Sequence, residues 1–226
     1  MIIAERKPFA EIKAMLAPYK KILIVGCGTC VAVCLAGGEK EVGLLASQFR
    51  LALGLEDKRL EIGEITVERQ CDLEFLRPLC DFTADYEAIV SMACGAGVQF
   101  LKQLCYLQPI FPGVNTRFIG VNNDVGYYTE RCRSCSNCYL GITGGICPVT
   151  MCPKGLLNGP CGGTVNGHCE VDPENECAWS NIHHRLELEG RLDKMREILP
   201  LHAHNRTTSP GKVIHPAYKR RYGTHE

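Results

Sequence analysis

The sequence has neither a net charge nor a long hydrophobic run. Its 226 residues include 25 lysines and arginines against 25 aspartates and glutamates, so the formal net charge is zero. A balanced charge gives no reason to expect nucleic acid or an acidic membrane surface as the main partner. No apolar stretch approaches the ~20 residues that a membrane-spanning helix needs. We therefore expect no nucleic-acid partner and no membrane span.

Leader and catalytic motifs are missing as well. The first residues, MIIAERKPFAEIK, contain no apolar stretch of the secretory type, so we expect a cytoplasmic protein. The sequence has no G-x-S-x-G, no phosphate-binding P-loop and no H-E-x-x-H. The glycine-rich stretch GCGTCVAVC lacks G-x-G-x-x-G, which argues against a dinucleotide site. These absences give no support to an enzyme that acts alone.

What the chain has in excess is cysteine, with 15 in total. An odd number of cysteines without a leader argues against a disulfide framework. Thiolates are soft ligands that suit iron–sulfur clusters and zinc. We therefore interpret most of these cysteines as metal or cluster ligands.

The first 125 residues alternate between strand and helix patterns. Strands are predicted at 21–26, 64–70, 87–93 and 116–122, and helices at 7–19, 39–53 and 96–107. Such alternation predicts an α/β fold with a parallel sheet and helices on its faces. This region is the first expected domain, an α/β cluster-binding domain over residues 1–125.

The rest of the chain is expected to form two further domains. Residues 126–182 are rich in Gly, Pro, Asn and Cys and show little regular structure, so metal ligation must hold this Cys-rich iron–sulfur domain together. Residues 183–226 begin with a predicted helix over 183–199, which Pro200 ends. The extended basic tail that follows is interpreted either as a solvated end or as an arm that contacts a partner.

Four cysteines follow three of the predicted strands. Cys27 and Cys30 follow the first strand, Cys71 the second and Cys94 the third. Because the carboxyl ends of parallel strands share one edge of a sheet, these thiols are expected to converge on one site. Cys34, one helical turn after Cys30, is an alternative ligand to Cys71 or a residue that lines the cavity.

Other residues of this region receive different roles. Gly28 and Gly95, next to these cysteines, are predicted to let the backbone approach a cofactor closely. Cys80 and Cys105 lie on predicted helices without a partner at metal-ligand spacing. We interpret both as core cysteines.

Eight more candidate ligands lie in the Cys-rich region, namely Cys132, Cys135, Cys138, Cys147, Cys152, Cys161, Cys169 and Cys177. The first three form C-x2-C-x2-C, a spacing that bacterial ferredoxins use, with a later Cys-Pro, to hold 4Fe–4S clusters. Two four-sulfur clusters are the favoured arrangement, while one cluster with one zinc, or two zincs, remains open. With the first group, we expect two or three 4Fe–4S clusters, or zinc in place of one.

Two residues near these cysteines are predicted to support a cluster. Lys154 is a candidate for offsetting cluster charge, and Trp179 is a candidate for shielding a cluster from water. The backbone N–H groups of NGPCGG (158–163) are expected to lie near sulfur, where such hydrogen bonds tune the reduction potential.

These motifs together resemble a known family. The run CPKGLLNGPCGG–x5–CE–x6–CAW (152–179), with CGTC–x3–C and SMACGAGVQ upstream, resembles the C-terminal-type domain of methylenetetrahydrofolate reductase. That domain also occurs as a separate small subunit (MetV) of two-subunit reductases, labelled as an iron–sulfur or zinc-finger protein. The resemblance extends over nearly the whole chain.

The resemblance implies a redox role. The chain would pass electrons through 4Fe–4S clusters to the flavin of a MetF-type catalytic subunit. That TIM-barrel partner would reduce 5,10-methylene-tetrahydrofolate to 5-methyl-tetrahydrofolate in the acetyl-CoA (Wood-Ljungdahl) pathway. Ferredoxin, flavodoxin or a nicotinamide-linked subunit would be the electron donor. The alternative is a zinc-stabilised scaffold subunit of the same complex without a redox role.

Overall fold

The computed structural model describes residues 1–56, 59–200 and 211–222. The chain divides into two compact units, Met1–Arg131 and Cys132–Glu226. Of the predicted basic tail, residues 201–210 and 223–226 lie outside the described residues. Within the described ranges, no helix combines the length and the apolar character that crossing a bilayer requires.

The first unit contains most of the regular structure. Its strands are β1 (Ile2–Arg6), β2 (Lys21–Cys27), β3 (Glu61–Val67), β4 (Ala88–Ser91), β5 (Ile110–Pro112), β6 (Val114–Asp124) and β7 (Tyr127–Cys132), the last of which ends at the first residue of the second unit. Its helices are α1 (Phe9–Leu16), α2 (Cys30–Val33), α3 (Glu39–Gly54), α4 (Leu73–Leu76), α5 (Leu79–Thr83) and α6 (Gly95–Leu104).

A parallel sheet forms the centre of this unit, with strand order β3-β2-β4-β5. β2 pairs in parallel with both neighbours, so that Cys27 lies opposite Val67 of β3 and Val25 lies opposite Ser91 of β4. The prediction of an α/β fold with a parallel sheet is therefore confirmed. The three strands that precede the first cysteine group are adjacent in this sheet.

β2 is buried on both faces. Ile22 and Ile24 belong to one apolar core together with Phe49 of α3, whereas Leu23 belongs to a second core with Leu101 of α6. Successive side chains of a strand point to opposite faces, so helices must cover both sides of this sheet. Burial of each such side chain contributes about 1.5–3 kcal/mol, which fixes the positions of the strand ends.

The strand predicted at 116–122 exists, but its expected place in the parallel sheet is wrong. β6 pairs antiparallel with β1, and β7 is its other neighbour in a separate three-stranded sheet. The fourth parallel strand is the three-residue β5, which is too short to give a periodic signal. An apolar pattern indicates a strand but not its partner, and this accounts for the error.

The second unit has little regular structure and a small core. Its described helices are α7 (Pro148–Met151), α8 (Ala178–Leu188) and α9 (Lys219–Tyr222), with 3-10 turns at Leu192–Arg196 and Pro216–Tyr218. Trp179, Ile182 and Leu186, all on α8, form a buried hydrophobic cluster in this unit. The apolar packing of this unit therefore centres on one helix.

The helix predicted over 183–199 is displaced toward the N-terminus. α8 begins at Ala178 and ends at Leu188, and a separate 3-10 turn follows at Leu192–Arg196. Gly190 has φ +66°, a left-handed conformation that ends the helix. The sequence pattern missed this end because leucines on both sides of Gly190 continue the helical spacing.

Candidate metal centres

The carboxyl ends of β2, β3 and β4 bring four predicted ligands to one edge of the parallel sheet. Cys27 is the last residue of β2, and Cys30 begins α2 three residues later. Cys71 follows β3, and Cys94 caps the N-terminus of α6 after β4. The parallel pairing of these strands is thus what gathers thiols that are far apart in sequence.

The electrostatics of Cys71 show how close these thiols are. Burial raises the pKa of the Cys71 thiol, and the charges of Cys94, Cys27 and Cys30 raise it further. Like charges shift a pKa over several ångströms, so Cys71 lies near these three thiols, although the four do not form a group that could hold a metal ion as they stand. Cys71 is exposed whereas Cys27 is buried, which places the group at the surface of the unit.

Cys34 lies on the inner side of this group. Burial raises the pKa of its thiol, which donates a hydrogen bond to the Ile2 carbonyl of β1 at 3.5 Å. The charge of Cys30 also acts on it. The choice between Cys34 and Cys71 as a ligand stays a prediction: the charges of the other three thiols act on Cys71, whereas the Cys34 thiol points at β1.

A buried polar pair, not singled out by the sequence analysis, ties the strand ends together. The Gln70 amide donates to the carbonyls of Val25 and Gly26 at 2.9 and 3.0 Å, and its oxygen accepts from the Ser91 hydroxyl at 2.6 Å. Gln70 and Ser91 are both fully buried. Gln70 directly precedes Cys71, so this pair helps to fix the distance between the ligands of three strands. Its position next to a cysteine was the only signal in the sequence.

Glycines allow close packing at this edge. A Cβ at Gly97 would lie 2.8 Å from the Cβ of Ala93 and 2.9 Å from that of Gln70, so α6 can approach the site only with glycine there. The N–H of Gly28 donates to the Val67 carbonyl at 2.9 Å, and that of Gly95 to the Thr116 hydroxyl at 2.8 Å. Both amides are used within the protein, and the predicted approach of a cofactor to these two glycines stays a prediction.

In the second unit, four cysteines line one small cavity. They are Cys152, Cys161, Cys169 and Cys177, and Trp179 and Leu156 also border the cavity. The Trp179 indole donates to the Leu156 carbonyl at 3.0 Å and is 6% exposed, so its ring forms an apolar wall. The other four cysteines of the Cys-rich region are not among the residues that line this cavity.

The surroundings of Cys177 favour the thiolate form of its side chain. Burial favours its neutral form, but hydrogen bonds from Ser180, Thr164 and the Trp179 backbone outweigh burial and lower the pKa of the thiol. Cys177 also caps the N-terminus of α8, where the helix dipole stabilises negative charge. Metal ligands must be deprotonated, so this environment suits a ligand.

Lys154 and Glu170 form an ion pair beside the same cavity. The Cys161 thiol donates to the Glu170 carboxylate at 3.2 Å. The Lys154 ammonium holds the pKa of Glu170 below its usual range. Lys154 therefore lies beside a predicted ligand with a carboxylate as its partner, and its predicted role toward a cluster stays a prediction.

Backbone N–H groups point at sulfur in both halves of the Cys-rich region. Gly163 donates to the Cys161 sulfur at 3.4 Å, within the NGPCGG run, and Ser134 donates to the Cys132 sulfur at 3.3 Å. Ser134 and Ser136 adopt φ values of 49° and 68°, which curl the C-x2-C-x2-C segment tightly. Such N–H···S bonds stabilise negative charge on sulfur.

The remaining predicted ligands of this region, Cys135, Cys138 and Cys147, are half-buried or exposed. Over residues 1–56, 59–200 and 211–222, no three His, Cys, Asp or Glu side chains form a group that could hold a metal ion. Ligation by the twelve cysteines of the two groups therefore stays a prediction.

Cys80 and Cys105 form a pair away from these sites. Their sulfurs lie 2.9 Å apart, and both side chains pack in or against the second core of the first unit. Burial and the hydrogen bond with Cys105 raise the pKa of Cys80 to about 12. Their interpretation as core cysteines agrees with this packing, but their mutual contact was not anticipated.

Comparison with known proteins finds a family model that matches part of the chain. Residues 111–205 match the family model described as methylene-tetrahydrofolate reductase C terminal. The match confirms the resemblance inferred from the motifs, covers all eight cysteines of the Cys-rich region, and associates the chain with methylenetetrahydrofolate reductase. No curated protein and no solved structure matches the chain.

Proposed function

We propose that this chain is the electron-transfer subunit of a methylenetetrahydrofolate reductase complex. Its thiolates hold 4Fe–4S clusters, and its electrons go to the flavin of a MetF-type TIM-barrel subunit that reduces 5,10-methylene-tetrahydrofolate to 5-methyl-tetrahydrofolate. The observation that carries the proposal is that predicted ligands lie near one another at two places in the chain. One group lies at the strand ends and another lines the cavity beside Trp179.

The cavity also suggests how the cysteines divide among the clusters. Cys152, Cys161, Cys169 and Cys177 hold one cluster in this proposal, since they line one cavity. Cys132, Cys135, Cys138 and Cys147 remain for a second cluster, and the C-x2-C-x2-C spacing suits three of its corners. Cys27, Cys30, Cys71 and Cys94 hold the third at the edge of the sheet.

When bound, such clusters accept and release single electrons. The residues of the chain hold and tune them. Trp179 excludes water from one side of the cavity, and the N–H groups of Gly163 and Ser134 stabilise negative charge on Cys161 and Cys132. Gln70 keeps the three strand ends at a fixed separation.

A zinc-stabilised scaffold is the second candidate function. The observation that suits it is the small core of the second unit, because bound zinc alone would supply the folding free energy that such a core lacks. Metal analysis of anaerobically purified protein distinguishes the two. We expect about twelve iron and about twelve sulfide per chain, with absorbance that a reductant bleaches. One or two zinc ions without iron would replace the redox proposal by the scaffold.

The site at the strand ends is tested by a matched pair of variants. Cys71→Ser should lower the iron content by about one third, because one of three four-iron clusters is lost. Cys34→Ser is the control, since the Cys34 thiol points at the Ile2 carbonyl, and it should keep full iron content. Equal iron content in both variants would remove Cys71 from the ligand set.

The route of the electrons is tested with the flavin subunit present. Cys135→Ser should stop reduction of the partner flavin by ferredoxin, flavodoxin or a nicotinamide-linked donor. Reduction of the same flavin by an artificial donor should continue, which shows that the partner is intact. An unchanged rate with the protein donor would exclude the clusters as the route.

A further inference from the structure

Cys80 and Cys105 form a thiol pair that neither group of predicted ligands includes. Their sulfurs are 2.9 Å apart, whereas the sulfurs of a disulfide are ~2.05 Å apart. Cys80 lies in α5 and Cys105 directly follows α6. Less than an ångström of movement thus separates the two sulfurs from bonding distance.

The pair is too far from the strand-end site to belong to it. Cys94 caps the N-terminus of α6 and Cys105 caps its C-terminus. At 1.5 Å of rise per residue, the two ends of this helix are about 16 Å apart. Cys105 therefore lies well outside the reach of the group around Cys94.

The distance also argues against a shared metal ion at the pair. Two thiolates on one tetrahedral zinc, each ~2.3 Å from the metal, have sulfurs roughly 3.8 Å apart. The 2.9 Å between Cys80 and Cys105 is shorter than that. The geometry thus suits a bond between the sulfurs better than a metal between them.

One of the two sulfurs can be reached from solvent. Cys80 is half-buried, whereas Cys105 is 5% exposed and packs beside Leu101. The high pKa of Cys80 keeps its thiol neutral at rest and makes its attack on an oxidant slow. An oxidant from solvent therefore reaches the Cys80 sulfur first. The Cys105 sulfur lies 2.9 Å from it.

We propose that Cys80 and Cys105 are a reversible disulfide site that low-molecular-weight disulfides oxidise. The Cys80 sulfur attacks the oxidant, breaks its S–S bond, loses its proton and releases one thiol. The Cys105 sulfur then attacks the Cys80 sulfur of this mixed disulfide and expels the second thiol. In sum, two protein thiols lose two electrons and two protons, and one small disulfide becomes two thiols. This site is independent of whether the other cysteines bind metal.

Formation of the bond should stabilise the first unit. It joins α5 to the end of α6 and closes a loop between residues 25 positions apart. Such a cross-link restricts the unfolded chain, and we expect the thermal midpoint of the unit to rise by about 5–10 °C. Reduction with dithiothreitol should reverse the shift.

The test uses the full chain, equilibrated anaerobically for hours in buffers of rising ratio of oxidised to reduced glutathione and then alkylated. Cleavage with trypsin and before aspartate isolates Cys80 in peptide 72–80 and Cys105 in peptide 103–117, because Pro78 blocks cleavage after Arg77. Cys71 and Cys94 fall in other peptides. We expect a cross-linked species of these two peptides, two hydrogens lighter than their sum.

Two results would overturn the proposal. One is full alkylation of both peptides at every glutathione ratio, and the other is Cys80 recovered only as a mixed disulfide with glutathione. Cys105→Ala is the matched variant, and it should stop at that mixed disulfide on Cys80. The peptide map of the wild-type chain decides the question even if the variant fails to fold.

Discussion

The two units of this chain place their cysteines by different physical means. In the first unit, a parallel sheet buried on both faces brings Cys27, Cys71 and Cys94 to one edge from distant parts of the sequence. In the second, the cysteines are close in sequence, and the buried hydrophobic cluster seen in its described part contains three residues of α8. Hydrophobic packing arranges the first set of thiols, whereas the second set lies in a segment with little packing of its own.

Because of this difference, the two units depend to different degrees on metal ligation for their folding. The strand ends of the first unit are fixed by apolar burial and by Gln70, so its thiol group can exist before any metal arrives. The second unit depends on bound metal for much of its stability if its thiols are ligands. The two units should therefore respond differently to the loss of metal and to changes in their cores.

The largest expected effect is that of metal removal. Chelation after oxidative cluster loss should abolish amide protection across residues 132–200, because metal binding supplies folding free energy of order 10 kcal/mol in such segments. Residues 1–131 should keep most of their protection, since an apolar core stabilises that unit. Hydrogen exchange followed by mass spectrometry measures both units in one sample. Retained protection in the second unit would show that metal does not hold it.

Trp179→Ala should have the next largest effect. It removes the largest core side chain of the second unit and should cost about 3–5 kcal/mol in the opening free energy of α8, measured by hydrogen exchange. Trp179→Phe is the control, which keeps most of the ring but loses the bond to the Leu156 carbonyl, at a cost of about 1 kcal/mol. Similar losses in the two variants would mean that ring volume is not what stabilises this unit.

Gln70→Leu tests the polar pair of the first unit. The substitution leaves the buried Ser91 hydroxyl without its acceptor and removes the donor to Gly26, and should cost about 1–3 kcal/mol in urea unfolding. Gln99→Leu is the matched control, because Gln99 is exposed and, among the residues that the structure describes, bonds only to the Gly95 carbonyl of its own helix. Its expected effect is within about 0.5 kcal/mol. An equal loss of unfolding free energy in the two variants would show that the Gln70–Ser91 pair has no structural role of this kind.

The smallest effect concerns the opposite edge of the same sheet. The N–H groups of Lys20 and Lys21 donate to the Glu87 carboxylate and hold its pKa below the usual range. A lowered folded pKa adds stability above the unfolded pKa, near 4.3, and this stability is lost as pH falls through the folded pKa. Glu87→Gln should therefore lower the thermal midpoint at pH 7 by at most a few degrees and have little effect at pH 2.

Glu74→Gln is the control for this last experiment. Glu74 is also an exposed carboxylate of the first unit, and its replacement should change the thermal midpoint little at either pH. A Glu87→Gln variant with the same midpoint as wild type at pH 7 would show that the two backbone bonds contribute nothing measurable.

Much of the first unit was predictable because its signals are local. The apolar run ending at Gly26 and the helical spacing after Glu39 predicted β2 and α3, since burial imposes those patterns on the sequence. The partner of β6 was not predictable, because pairing depends on residues more than a hundred positions away, such as Ile2 opposite Ile119. The end of α8 at Leu188 was missed because a single glycine overrode the pattern around it.

Some features of the candidate site could likewise be predicted from the sequence, and others could not. Cys27, Cys71 and Cys94 could be grouped from sequence because each follows a strand and parallel strands share an edge. Gln70 could not be found, because a buried hydrogen-bonding glutamine has the same local sequence as an exposed one. The contact between Cys80 and Cys105 also escaped detection, since nothing in the spacing of two helical residues says that their helices meet.

The sequence by itself determined which cysteines are candidate ligands, their local spacing and the alternation of strands and helices, because these depend on neighbouring residues. The tertiary structure alone decided that the strands preceding Cys27, Cys71 and Cys94 are adjacent, that the Cys34 thiol points at β1, and that four of the eight later cysteines line one cavity. Those outcomes depend on how strands pair and helices pack over long distances. Burial free energy selects such packing for the whole chain at once, so no short segment records it.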